Sequence, residues 1–163
     1  MNSLKLQATA LIRKNSLGFL DEMFALFAAR RPLVLVNSDA QAEGLAGLEI
    51  DRCIDPVERS GWFTAHHPLL HDDLPAQVSY TSGTEGQPKG ILLTYRNLSY
   101  TTERIIEVMK MTAEIREYVG VPATFSFGMA RYRAVSAVGG QSYMPPRGCD
   151  PLGLALVRTA GAL

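Results

Sequence analysis

Apolar positions recur at helical spacing near the start of the chain and in short unbroken runs further on. Residues 3 to 30 read as helical, with Leu17, Leu20, Phe24 and Phe27 on one stripe and Asp21 and Glu22 at its polar edge. Asn15-Ser16 and Gly18 are the places where this stretch can break into two helices. Burial preference assigns the Phe/Leu stripe to the core rather than to a partner. Pro32, which cannot donate a backbone hydrogen bond, stops the helix after Arg30-Arg31. Leu33-Val34-Leu35-Val36 is a continuous apolar run, the pattern of a strand covered on both faces. Asn37-Ser38-Asp39 starts a turn or caps a short helix through Leu45. Leu48 to Ile54 is a second strand. The rhythm is β-α-β, which predicts a layered α/β fold with a mostly parallel sheet and helices on both faces.

Asp55 to Asp73 has no period and holds Pro56, Gly61 and Pro68. His66-His67 and His71-Asp72-Asp73 fall there, but without the spacing of a helical or cysteine-based metal site, and a solvated loop is the expectation. Two more apolar runs follow, Ala76 to Tyr80 and Ile91 to Leu93. Thr94 or Asn97 can cap a helix to about Met111, with Leu98, Thr102, Ile105 and Met109 on one face and Glu103, Arg104, Glu107 and Lys110 toward water. Tyr118 to Ala123 reads as a buried strand, Ala130 to Val138 as a helix closed by Gly139-Gly140, and Gln141 to Met144 as a strand. Asp150-Pro151 opens a last helix with Leu152, Leu154, Ala155, Leu156 and Val157 as its apolar set.

The 163 residues suffice for one domain with one core. The formal net charge is zero, from 16 basic and 16 acidic residues. That balance leaves no basic stripe for nucleic acid and no polybasic run for anionic lipid. Cys53 and Cys149 stand far apart, so neither a disulfide framework nor a cysteine zinc site is supported. A reducing cytoplasm is the expectation. No apolar segment approaches the length of a membrane span.

The candidate chemistry lies between the two apolar runs, in Tyr80-Thr81-Ser82-Gly83-Thr84-Glu85-Gly86-Gln87-Pro88-Lys89-Gly90. Glycines let the backbone approach a ligand closely, successive N–H groups can form an anion-binding concavity, and Thr81, Ser82, Thr84 and Lys89 add hydroxyl and ammonium donors. In composition this is a phosphate cradle; the alternative is a glycine-rich hairpin without a ligand. It departs from the common nucleotide loop, because Gly83 and Gly86 are three apart and Lys89 leads into a strand rather than a helix.

Thr81 to Gly90 resembles the phosphate-binding loop of the adenylate-forming enzymes, which include acyl-CoA synthetases, peptide-synthetase adenylation domains and luciferases. Glu85 stands where that family usually has a second Thr. Ile91 to Leu98 also resembles the family, with Tyr95 at a usual His. The resemblance runs from about Asp72 to the C-terminus, while residues 1–71 form a weakly similar front end of the same single domain. It implies an early-middle portion of the family's N-terminal domain. It further implies ATP and Mg2+ as cofactors, and contacts to the phosphates from Thr81, Ser82, Gly83, Thr84, Glu85, Gly86 and Lys89. The implied substrates are a carboxylic acid and CoA or a carrier protein. Pro122-Ala123-Thr124-Phe125-Ser126-Phe127-Gly128 resembles the step beside the family's acyl site, with Phe125 where His is common. Phe125, Ser126, Phe127 and Gly128 are therefore candidate lining of an acyl or aryl pocket, with core packing the competing role for the two phenylalanines.

The sequence does not contain the family's aromatic-Gly-x-Thr-Glu segment that helps hold Mg2+, its Thr-Gly-Asp segment for the ribose, or its small C-terminal domain. The expectation is a chain inactive by itself, with self-association or a complementing chain covering its apolar faces. A catalytically incomplete remnant serving as a binding or assembly module is the alternative.

Overall fold

A computed structural model describes residues 5–43, 45–81 and 89–146. Its elements in chain order are β1 (Leu6–Ile12), α1 (Leu17–Ala28), β2 (Leu33–Val36), α2 (Asp39–Glu43), β3 (Leu48–Ile54) and β4 (Gly61–Phe63). Then come β5 (Pro75–Thr81), β6 (Lys89–Thr94), α3 (Tyr95–Met109), β7 (Arg116–Tyr118), α4 (Ser126–Val138) and β8 (Gln141–Met144). The helix read from Asp150 onward lies outside the described residues.

Five strands form the main sheet in the order β3-β1-β2-β5-β6. The first four run parallel and β6 returns antiparallel along β5. A second, three-stranded sheet has the order β4-β8-β7, with β8 parallel to β7 and antiparallel to β4. Strand residues alternate between two apolar layers, as the pleat requires. Leu11, Leu33, Leu35 and Ala76 face α1, whose Phe19, Leu20, Met23 and Phe27 are almost completely buried. Ala8, Ala10, Val34, Val36 and Val78 face the other way and meet Ala42 of α2. Each large side chain so buried contributes about 1.5–3 kcal/mol of transfer free energy.

The continuous helix expected over residues 3 to 30 is not formed. Its first part is β1, sandwiched between β2 and β3. Ala8 to Leu11 are buried on both faces, and Thr9 Oγ1 donates to Asp51 Oδ1 of the neighbouring strand at 2.9 Å. The helix begins only after Ser16, whose hydroxyl accepts from Phe19 N at 3.1 Å. Likewise the irregular stretch after Asp55 contributes β4, and the strand read at Tyr118 to Ala123 is Arg116–Tyr118. Helix α4 starts at Ser126, a turn earlier than Ala130, and closes on Gly139 as expected. No helix among the described residues is long and apolar enough to cross a membrane.

Within the histidine-rich stretch, His67 serves packing. His67 lies against the rings of Phe24 and Phe27, at centroid distances of 5.3 and 5.8 Å. Burial lowers its pKa below the ordinary 6.5, and the nearby positive charge of Arg133, Arg30 and His66 lowers it further. The unfolded chain therefore takes up this proton at a higher pH than the folded one. The stability His67 contributes is complete above about pH 6.5 and is lost as pH falls through its depressed folded value. Urea midpoints compared at pH 7 and 5.5 should fall less in His67→Phe than in the parent; equal losses would contradict this.

Candidate functional site

The β5–β6 hairpin pairs from Pro75 opposite Thr94 to Thr81 opposite Lys89, with one register shift between Pro75 and Gln77 and an even register from Gln77 onward. Thr81 and Lys89 therefore face each other across the hairpin's open end, and residues 82–88 connect them. The sequence expectation of a loop hung between two strands holds at both flanks. Ser82, Gly83, Thr84, Glu85 and Gly86 lie outside the described residues. Of the predicted phosphate-contacting set, the structure places the Thr81 backbone and Lys89, the latter exposed at the start of β6. The Tyr80 ring covers Gly90, where an added Cβ would come within 3.2 Å of it.

The far end of the hairpin is fastened to α3. Thr94 caps that helix: its hydroxyl accepts from Asn97 N, while the Asn97 side chain accepts from Thr94 N at 3.0 Å. Tyr95 N and Arg96 N donate back to Leu74 O and Asp72 O at 3.1 and 2.9 Å. Arg96 grips both oxygens of Asp73, at 2.7 and 3.1 Å, and that pairing holds the Asp73 carboxyl below its ordinary range. Asp72 is pushed up by partial burial, but Arg30 and the Leu74 N–H outweigh this and leave it lowered. The acidic step before the loop strand thus braces the hairpin's base.

Because β1, β2 and β5 are parallel, their carboxyl ends share one edge of the main sheet, the edge at which open α/β sheets receive ligands. Asn15, three residues past the end of β1, accepts from Ala123 N at 2.8 Å through its Oδ1. That bond fixes the approach to α4 at the same edge. Phe125 is the helix N-cap and has no side-chain capping bond, while Ser126, Phe127 and Gly128 form the first turn. The uncapped N–H groups and the helix dipole favour negative charge there. Phe125 and Phe127 are 56% and 60% exposed, so neither packs in the core, which was the competing expectation. They belong to α4, which packs against the second sheet; Thr81 and Lys89 belong to the first. The edge is shared, and the two groups come from different layers.

Sequence reasoning treated Asn15 only as a helix breaker. The signal was the polar Lys14-Asn15-Ser16 step between two apolar segments, where a side-chain acceptor can reach a neighbouring backbone. Among the described residues, no three His, Cys, Asp or Glu side chains gather as a metal site. Asp72, Asp73 and His71 are instead set beside Arg30, Arg96 and Glu103.

The model of the AMP-binding enzyme family matches residues 7–160. The similarity thus reaches the front end, well before Asp72. An indoleacetate–CoA ligase of Aromatoleum aromaticum is 30% identical over 104 residues, 64% of this chain and 19% of the ligase. Pyochelin synthetase PchF of Pseudomonas aeruginosa is 31% identical over 121 residues, 73% of this chain and 6% of the synthetase. A malonyl-CoA ligase solved as a ternary product complex with methylmalonyl-CoA and AMP has a TM-score of 0.71 at 22% identity; the match covers 94% of this chain and 38% of that one. This chain therefore spans less than a fifth of these curated relatives and well under half of the solved ligase.

Proposed function

The chain belongs to the AMP-binding enzyme family, and from that premise we propose that it supplies the phosphate-binding hairpin of an enzyme that activates a carboxylic acid with ATP. The product is an acyl-adenylate, passed on to a thiol such as that of CoA or a carrier protein. The observation that supports this most directly is the pairing of Thr81 with Lys89 at the carboxyl edge of the parallel strands.

In this reaction a carboxylate oxygen attacks the α-phosphorus and pyrophosphate leaves. The protein's part is to hold the triphosphate in line and to offset its growing negative charge. Lys89 supplies a full positive charge, and the loop from Thr81 to Gly86 supplies hydroxyl and amide donors. The N-terminus of α4 faces the same edge, with Phe125 and Phe127 offering apolar surface to an acyl or aryl group. Mg2+ would arrive as the counter-ion of the nucleotide phosphates; the family's carboxylate for it belongs to a segment these 163 residues do not contain.

Alone, the chain should bind ATP–Mg2+ weakly, at about millimolar Kd or about −4 kcal/mol, and catalyse no acid-dependent ATP–pyrophosphate exchange. A hydrogen bond to a charged group contributes about 1.5–3 kcal/mol, so Lys89→Ala should weaken binding by about 10- to 100-fold. Phosphorus NMR titration of both proteins measures this. Equal affinity in the two would remove the hairpin from the nucleotide site and leave the assembly-module reading. Robust exchange by the isolated chain would overturn the expected inactivity.

A further inference from the structure

At the carboxyl end of β1, Arg13 N donates to Val36 O at 2.9 Å, so the ladder of β1 with β2 runs on to this residue. Ile12 packs in the layer of α2. Successive strand side chains alternate, so Arg13 points to the other face, the one covered by α1 and α4. Its Nε is buried without a hydrogen-bond partner. Arg30, Arg31, Arg59, Arg96, Arg104 and Arg131 each meet a carboxylate; among the described residues Arg13 meets none. A buried donor without an acceptor costs stability, and a bound anion would supply the missing acceptor.

The register brings this arginine into the row of the hairpin's open end. Ile12 lies opposite Val36, which sets Arg13 level with Asn37, the residue after β2. Val34 lies opposite Val78, so Asn37 stands level with Thr81, and Thr81 lies opposite Lys89. Arg13, Asn37, Thr81 and Lys89 thus form one row across β1, β2, β5 and β6. Arg13 and Lys89 are three strand spacings apart in it, about 14 Å at the backbone. The two cations also share a face. Gly90 lies under the Tyr80 ring on the α2 side, whereas Leu93 packs on the α1 side. Lys89 alternates with Gly90 and is in phase with Leu93, so it points to the α1 side as Arg13 does.

We propose that Arg13 is a second phosphate-binding cation of this edge, and that it and Lys89 hold a polyphosphate chain between them. The inference rests on the reading of the hairpin as a nucleotide-phosphate site and extends that site to β1. A triphosphate carries charge along its length, so two cations set apart in one row can each meet a different phosphate group. The guanidinium adds paired N–H donors matched to phosphate oxygens, which an ammonium does not offer. The segment that carries Arg13 is tied down, because Asn15 two residues on accepts from Ala123 N.

Titration of the 163-residue chain with inorganic tripolyphosphate and with ATP–Mg2+, followed by phosphorus NMR, tests it. Arg13→Gln should weaken both ligands by about tenfold, the low end for a hydrogen bond to a charged group. Arg13→Lys should keep part of the affinity, because the charge stays and the fork is lost. Lys5→Gln, which removes a positive charge beside the opposite end of β1, should change neither. In the parent, the Arg13 Nε–H signal should shift saturably with tripolyphosphate, a readout that does not require the glutamine variant to fold. Unchanged affinity in Arg13→Gln beside a loss in Lys89→Ala would overturn the role of Arg13 and leave the hairpin reading standing. An equal loss in Lys5→Gln would reduce the effect to net charge and overturn it as well. A loss for ATP without one for tripolyphosphate would place the guanidinium away from the phosphates, with the same consequence. Binding of neither ligand by the parent would overturn both readings together.

Discussion

Glu117→Ala is expected to destabilise the chain by about 3–5 kcal/mol, the range for removing one partner of a buried ion pair. The side chains of Arg131 and Glu117 are only 8% and 15% exposed, so water cannot take over the role of the lost carboxylate. The fork-to-fork geometry leaves both bonded guanidinium nitrogens without an acceptor at once. The remaining neighbour is Met109, whose sulfur accepts from Arg131 Nη1 and is too weak an acceptor to compensate. Glu117→Gln should cost less, because one oxygen still accepts. Arg131→Met combined with Glu117→Leu should recover most of the loss, since an apolar pair of similar volume removes the charge and its partner together. Urea unfolding with an unchanged m-value measures all three variants. A loss below 1 kcal/mol in Glu117→Ala would mean that solvent reaches the pair. The pair also ties β7 to α4, so it helps fix the first turn of α4 at the carboxyl edge of the main sheet.

What was readable in advance followed from local chemistry. Leu33–Val36 is a strand because an unbroken apolar run between turn residues has few other outlets, and Leu48–Ile54 opens with Leu48 and Ile50 alternating with Glu49 and Asp51, the period of a strand. The helix after the hairpin is set by Thr94 and Asn97, whose capping box joins residues three apart. The loop's position followed from glycine, hydroxyl and lysine lying between two such runs. The errors share a different cause. In β1 the sequence Ala8-Thr9-Ala10-Leu11 suits a helix as well as a strand. What decides is partnership with β2 and β3, residues some 20 to 40 positions away. β4 is three residues long and exists only because β8 pairs with it from about 80 residues downstream. Phe125 and Phe127 suit the core by type, yet they stand exposed at the start of α4, which residue type alone does not announce. The ion pairs of Arg30, Arg96 and Arg131 join distant elements, and no sequence period announces them.

Gly128→Ala should cost about 3 kcal/mol, the upper end for overpacking a filled site. A Cβ there would lie 2.1 Å from Pro122 O and 2.8 Å from Pro122 C, both backbone atoms that cannot rotate aside. Phe125 N already donates to Pro122 O at 3.1 Å, so moving that carbonyl also breaks the turn that launches α4. Gly47→Ala is the matched control: φ is +81° there, but nothing lies within 4 Å, so only backbone strain of about 1 kcal/mol is added. Thermal or urea unfolding of the two variants separates steric from conformational cost. If Gly128→Ala loses no more than Gly47→Ala, the Pro122–Gly128 turn yields freely. A yielding turn could not hold Phe125 and Phe127 in one orientation, as the acyl-lining role proposed for them requires. A loss two to three times larger would mean the first turn of α4 is set by the absence of a side chain at Gly128, a constraint that acts before any substrate arrives.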